Sequence, residues 1–417
     1  MAKYLVMTLG TGAEVENGLA CSIKTHHPDR VIFLATPTSE KTIDRLRPLL
    51  PEFEERMEVR LVKAEDDVEK CAMDALACLS ELAAEVASPR EITADFTSGT
   101  KAMTAGLCIA AVSAGLQDLS YVTGDRDPAT GRVITGTERV LTVRLGRLRA
   151  HEQKRALIQL FKRRHFAEGL TLAGELAGNY SLPDIKDEFT QWKSLFEAFH
   201  RWDLFDHQGA MRAMESLDKG FLRLYQLDLD PCKEMLGRIL TKTRKKESET
   251  SVPEAPAIFP ELLADLLANA QRRAAEGRYD DAVARLYRAC EMAAQLALLE
   301  KGHNTACLEP SRLPPEALQS LGLAADAEGP VMIAMERAYL LLRALGDERA
   351  GRYLDNQRLR NLLTARNRSI LAHGVSPVGS EVCEELRKEV VEICGSFVEN
   401  LDRLMRLAVF PTIPSLI

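Results

Sequence analysis

The 417-residue sequence has no run of roughly 18 or more apolar residues, so nothing in it reads as a membrane-spanning helix. Its start, MAKYLVMTLG, enters a strand-like segment without the basic region, apolar core and cleavage site of a signal peptide. The expectation is a cytoplasmic protein with no membrane partner. Nine cysteines, at 21, 71, 78, 108, 232, 290, 307, 383 and 394, include no Cys-x-x-Cys pair and no metal-like Cys/His spacing. A disulfide framework and a zinc module are both excluded on that count, leaving buried reduced thiols and no metal as the expectation. An excess of basic charge is also lacking: the net charge is -7, which argues against coating nucleic acid with the whole surface but permits a local basic site. Aromatic residues make up only 6%, yet 46% hydrophobic content over this length fills two or three cores, more than one small binding module.

What is present first is a βαβ rhythm. Short β-branched runs at Tyr4 to Leu9, Val31 to Thr36, Val59 to Val62, Glu91 to Thr97 and Leu119 to Thr123 alternate with helical patterns. Asp66 to Val86, for example, places Val68, Ala72, Ala75, Leu76, Leu79, Leu82 and Ala83 close to a 3.6-residue repeat. Parallel strands on an open sheet follow, and GDRDPATGRVITGTERVLTVRL then predicts a turn and an edge hairpin. Beyond Arg147 only helical periodicity remains. KTRKKESETSVPEAPA, residues 242 to 257, has almost nothing to bury and reads as a linker or exposed loop. The predicted organisation is multidomain α/β plus all-α: a Rossmann-like domain over 1–146, a helical spacer and linker over 147–257, and a helical domain over 258–417. GRYDDAVARLYRACEMAAQ, from Gly277, has tetratricopeptide-like spacing, but no second copy lies at a 34-residue offset, so it reads as one amphipathic helix of a bundle.

The first strand ends in Gly10-Thr11-Gly12, at the strand end where open α/β sheets bind ligands. A dinucleotide fingerprint would need glycine where Val15 stands and an acid where Thr36-Pro37-Thr38-Ser39 follows the second strand, so a nicotinamide cofactor is disfavoured. A plain tight turn is the competing reading. Asp95-Phe96-Thr97-Ser98-Gly99-Thr100-Lys101 carries the stronger signal. Small and hydroxyl residues opening a helix at Ala102 present free backbone N–H groups beside the Lys101 ammonium, which is a seat for an anion or nucleotide. The Walker A pattern is absent; the competing reading is a helix cap at Thr97 or Ser98.

Near the far end, Arg352, Arg358, Arg360, Arg366 and Arg368 crowd a helical stretch that runs to His373-Gly374. Residues seven apart differ by about 20° around a helix, so Arg366 shares a face with His373, whereas Arg368 stands about 140° away. Gly374 as the residue past the helix end would put His373 in the last turn, where the dipole favours imidazolium. His can move the proton of a 2′-hydroxyl or leaving oxygen while Arg stabilises the phosphate, so such a pair can cleave RNA without metal. The competing reading is a solvated arginine face.

Taken together, the Gly-Thr-Gly turn and Asp-x-Thr-x-Gly-Thr-Lys-x-Met resemble the CARF (CRISPR-associated Rossmann fold) domain, and Arg366-Asn367-x5-His373 resembles the Arg-Asn-x(4 to 6)-His signature of HEPN ribonucleases. Asp281 to Glu291, with Arg285 and Arg288, is similar to the helix preceding that signature in CRISPR-associated CARF plus HEPN proteins. This resemblance implies a cyclic-oligoadenylate-activated, metal-independent single-stranded RNA endonuclease of type III CRISPR antiviral defence. It implies ligand contacts from Thr8, Gly10, Thr11 and Gly12, from Thr36, Thr38 and Ser39, and from Asp95, Thr97, Ser98, Gly99, Thr100 and Lys101. Arg366 and His373 would be catalytic, with Asn367 orienting them. The activator would be allosteric, no cofactor would be needed, and both domains would pair across a homodimer. The alternative is a nucleotide-sensing regulatory or RNA-binding protein without nuclease activity. Ring size, RNA preference and ring-nuclease activity in the sensor stay open.

Overall fold

The computed structural model describes residues 3–180, 182–249, 258–324, 329–367 and 374–414. Six strands form one sheet, β1 (Tyr4–Thr8), β2 (Arg30–Ala35), β3 (Met57–Leu61), β4 (Ile92–Asp95), β5 (Asp118–Thr123) and β6 (Arg139–Arg144), in the order β3-β2-β1-β4-β5-β6. The first five pair in parallel and β6 closes the edge antiparallel to β5, as the hairpin expectation required. Helices α1 (Val15–His26), α2 (Ile43–Leu46), α3 (Val68–Glu85) and α4 (Lys101–Ser113) connect them. Because side chains alternate across a strand, Tyr4, Val6, Ile32 and Leu34 pack with Leu79 and Leu107 of α3 and α4, while Leu5, Met7, Val31 and Phe33 pack with Leu19 and Ile43 of α1 and α2. Both faces are covered, which is why these strands read as continuous apolar runs.

The strand order reverses direction between β1 and β4. That switch point opens a crevice at the carboxyl ends of the two strands, where the two sequence motifs lie.

All described residues after β6 that take regular structure are helical: α5 (Gly146–Lys162), α6 (Phe166–Asn179), α7 (Pro183–Asp203), α8 (His207–Glu215), α9 (Lys219–Leu224) and α10 (Asp230–Glu249), then α11 (Pro260–Ala275), α12 (Tyr279–Glu300), α13 (Pro315–Leu321), α14 (Met335–Ala344), α15 (Gly351–Leu354), α16 (Gln357–Asn367), α17 (Ser380–Phe397) and α18 (Leu401–Leu407). The chain is thus a Rossmann-like α/β sheet followed by helices. It divides into two compact units, residues 1–155 with 180–185, and residues 156–179 with 186–417. Within the second, the apolar side chains of α5, α6 and α7 build an aromatic core of Phe161, Phe166, Phe199 and Trp202, into which Phe410 inserts with its ring 4.7 Å from that of Phe199. One expectation changes. Residues 242–249 continue α10 instead of opening a loop, because Lys, Arg and Glu favour helix even where there is nothing to bury.

Candidate functional site

At the switch point the two loops are built against each other. Asp95, fully buried at the end of β4, accepts hydrogen bonds from Ser22 Oγ at 2.7 Å, Ser120 Oγ at 2.6 Å and the Thr97 N–H at 2.9 Å. Its carboxylate therefore holds the loop from beneath. Thr97 Oγ1 accepts from the Val122 N–H at 2.8 Å, tying the loop to β5. Ser98 Oγ accepts from the Gly10 N–H at 2.9 Å, and its carbonyl accepts the Thr8 hydroxyl. Gly99 has φ +107°, and a Cβ there would lie 3.0 Å from that of Thr8; one on Gly10 would lie 2.8 Å from the Gly99 nitrogen. Glycine at both positions is the condition for this approach.

The cap of α4 is Thr100 and not Thr97 or Ser98: its Oγ1 accepts from the Met103 N–H at 3.2 Å and donates to the Glu65 carbonyl at 2.5 Å. Lys101 stands exposed at the start of that helix. Thr36 and Ser39 close their own turn, Ser39 Oγ accepting from the Thr36 N–H at 2.8 Å and Thr36 Oγ1 from the Ser39 N–H at 3.0 Å, and both are buried. Of the thirteen proposed contacts, Thr8, Thr36, Ser39, Asp95 and Ser98 are thus buried supports. Thr11, Gly12, Thr38 and Lys101 are exposed, and Gly10, Thr97, Gly99 and Thr100 are half-buried. Two contributors escaped the sequence reading: Thr42 Oγ1 donates to the Gly10 carbonyl at 2.9 Å, and Arg45 donates to that of Gly12 at 3.2 Å. Their signal was a hydroxyl and a cation one turn apart, directly after the Thr36–Ser39 turn.

The second site is only partly within the described residues. α16 reaches Asn367, but the side chains of Arg366 and Asn367 and all of Arg368 to His373 lie outside them, including the helix end expected at His373-Gly374. Three arginines of the apparent basic cluster are engaged elsewhere. Arg352 pairs with Glu392 at 3.2 Å and Arg358 with Glu385 at 3.2 Å, both on α17, while Arg360 donates to the Leu354 carbonyl. Beyond the gap, the Val378 N–H donates to Asp280 Oδ2 at 3.3 Å, anchoring the returning chain to the first turn of α12. Arg285 of that helix, its guanidinium pKa lowered by burial, donates to Asn269 Oδ1 at 2.5 Å. Arg288 donates to Glu291 at 2.7 Å and Gln295 at 2.8 Å.

Comparison with known proteins accounts for the helical part. A family model described as the Csm6 6H domain matches residues 149–243, which covers the middle helices that carried no motif, and one described as the Csm6 HEPN domain matches residues 254–396. No curated protein matches the chain. Among solved structures, Enterococcus italicus Csm6 bound to cyclic hexa-2′-fluoro-hexa-dAMP aligns with a TM-score of 0.60 at 14% identity over 98% of each chain, a likeness of fold. Can2 from Sulfobacillus thermosulfidooxidans in complex with cyclic tetra-adenylate aligns with a TM-score of 0.24 at 13% identity over 50% of this chain and 68% of the other, too low to weigh. With two Csm6 domain models matching in tandem over more than half of its residues, behind a Rossmann-like sheet, the chain belongs to the Csm6-type CARF plus HEPN proteins.

Proposed function

We propose that this protein is a cyclic-oligoadenylate-activated, metal-independent single-stranded RNA endonuclease of type III CRISPR defence, cytoplasmic and homodimeric. One observation carries the reading: tandem Csm6 6H and HEPN matches stand behind a sheet whose switch point presents a preformed, glycine-lined seat at a helix start. The activator's phosphates would meet the backbone N–H groups around Gly10 to Gly12 and Gly99 to Lys101, with Lys101 adding charge. Thr38 and Thr11 line its rim, while Thr8, Thr36, Ser39, Asp95, Thr97 and Ser98 hold the walls.

For cleavage, His373 takes the proton of a ribose 2′-hydroxyl, whose oxygen attacks the adjacent phosphorus. The P–O5′ bond breaks, and the departing oxygen takes a proton from a His373 imidazolium of the cleft. Arg366 stabilises the charge that builds on the phosphate, and Asn367 orients the pair. The products are a 2′,3′-cyclic phosphate and a 5′-hydroxyl end. Two such Arg/His pairs, one from each protomer, would form one cleft, so ligand at one two-fold interface would bias packing at the other.

The test is cleavage of a labelled single-stranded RNA in EDTA across a panel of cyclic oligoadenylates, with His373→Ala as control. Stimulation by one ring size, lost in the variant while ring binding persists, is the expected result. Ring-dependent RNA binding without cutting, unchanged in the variant, would instead establish a regulatory RNA-binding protein.

A further inference from the structure

The strand order β2-β1-β4 sets the Gly10–Gly12 turn between the segments that follow β2 and β4, and each of these carries a cation. On the β4 side it is Lys101, exposed at the start of α4. On the β2 side it is Arg45 of α2, whose Nη2 donates to the Gly12 carbonyl at 3.2 Å and lies 3.5 Å from Thr42 Oγ1. Pinning a carbonyl of this turn needs only a hydroxyl, since Thr42 Oγ1 alone holds that of Gly10. An arginine brings more: the N–H groups of its Nε and Nη1 make no hydrogen bond among the described residues.

One carboxylate stands beside those donors. Glu16, in the first turn of α1, places Oε2 3.6 Å from Arg45 Nη1, outside hydrogen-bond distance, and that oxygen is buried with no hydrogen-bond partner of its own. Its side chain is 19% exposed and that of Arg45 42%, so the acid is sheltered while the cation reaches solvent. Of the neighbouring acids, Asp44 turns to Arg47 at 4.0 Å, and Glu14 and Glu40 are exposed without an ion pair to Arg45. Arg45 and Glu16 thus meet by charge alone, a contact that at this exposure is worth little and leaves the guanidinium able to take a second anion. A carboxylate that stays beside it then works against that anion, by drawing on the same cation and by repulsion.

We infer that Arg45 binds a phosphate of the activator and that Glu16 is a built-in counter-charge that weakens this contact, so that the pair sets the concentration at which the sensor fills. The inference rests on the reading of the switch-point crevice as the seat of a cyclic oligoadenylate. Such a ring carries a phosphate between every two nucleosides, so a seat beneath it meets negative charge at more than one edge. Lys101 answers that charge on one side of the Gly10–Gly12 turn, and Arg45 answers it on the other with the donors that the turn does not use.

Titration calorimetry of the full-length protein with cyclic tetra-adenylate and cyclic hexa-adenylate across a salt series tests this. For the ring that binds the wild type, Arg45→Ala should weaken binding about tenfold or more and lower the slope of log affinity against log salt by about 0.7, the share of one phosphate contact. Glu16→Gln should tighten binding about two- to fivefold. A mere brace for the turn has the opposite consequence, since Glu16 would then help to hold Arg45 and its loss would weaken binding. An unchanged salt slope in Arg45→Ala, even with weaker binding, or a Glu16→Gln protein that binds no more tightly than wild type, overturns the inference and leaves the seat standing. No binding of either ring to the wild type overturns the reading of the crevice, and the inference with it. Should Arg45→Ala unfold, Glu16→Gln, which keeps Arg45 in place, decides alone.

Discussion

At the level of single residues, the seat at the switch point depends on side chains that bond its two loops to each other. Ser98 receives the Gly10 N–H on its hydroxyl, so Ser98→Ala should cost about 1 kcal/mol and loosen the first loop. Gly99→Ala combines a backbone conformation strained for alanine with a methyl against Thr8, and should cost about 1–3 kcal/mol. Both are checked by calorimetric unfolding of the full chain, and both should weaken activator binding, whereas Thr38→Ala, exposed on the rim, should leave the unfolding temperature unchanged. The sequence showed where this seat would be because glycine and hydroxyl residues clustered at two strand ends. It did not show which of them face solvent. Asp95, expected as a ligand contact, also accepts three hydrogen bonds from within the chain, and only the fold brings Ser22 and Ser120 to it.

Among the elements, α11 is the one whose character the sequence concealed. Glu261, Asp265, Asn269 and Arg273 recur every four residues, with Arg272 beside them, a polar stripe that periodicity assigns to solvent. All five are buried. The stripe faces partners brought from far along the chain: Asp265 accepts from Trp202 Nε1 at 2.9 Å and lies 2.8 Å from His207 Nε2, and Arg272 bonds the Ala408 carbonyl at 3.2 Å while stacking 3.9 Å over the Phe410 ring. Charge pattern alone does not distinguish a solvated face from a buried network; the missing information is the complementary Asp203, Trp202 and His207 on other helices. Arg272→Ala should cost about 3–5 kcal/mol, since it leaves Asp203 and Asp265 short of a partner in the interior. Phe410→Ala should cost a similar amount, about 3–5 kcal/mol, through the cavity left among Phe166, Phe199 and Trp202. Calorimetric unfolding of each variant checks both values.

For the molecule as a whole, acid stability follows from two histidines whose pKa values fall below the ordinary 6.5. Burial lowers that of His26, opposed by the charges of Asp95 and Asp118, and burial together with Arg312 lowers that of His303. A folded-state pKa below the unfolded one means the unfolded chain binds more protons in between, so stability is full above pH 6.5 and declines as pH falls toward the folded values. The unfolding temperature should drop across that interval, and His26→Gln should flatten the part belonging to the α/β unit. The order of sheet first and helices after was legible from one change in apolar periodicity near residue 146. The helical partners were not, because amphipathic helices announce that they pack without announcing against what. One property of the switch-point crevice bears on how quickly the protein responds. Gly10, Ser98 and Gly99 join the two loops through the chain's own contacts, so the floor of the seat is held independently of any guest and ordering it slows no encounter. Arrival should therefore depend on concentration alone, without a slow conformational phase, and the lifetime of the signal should be set by how fast the guest departs.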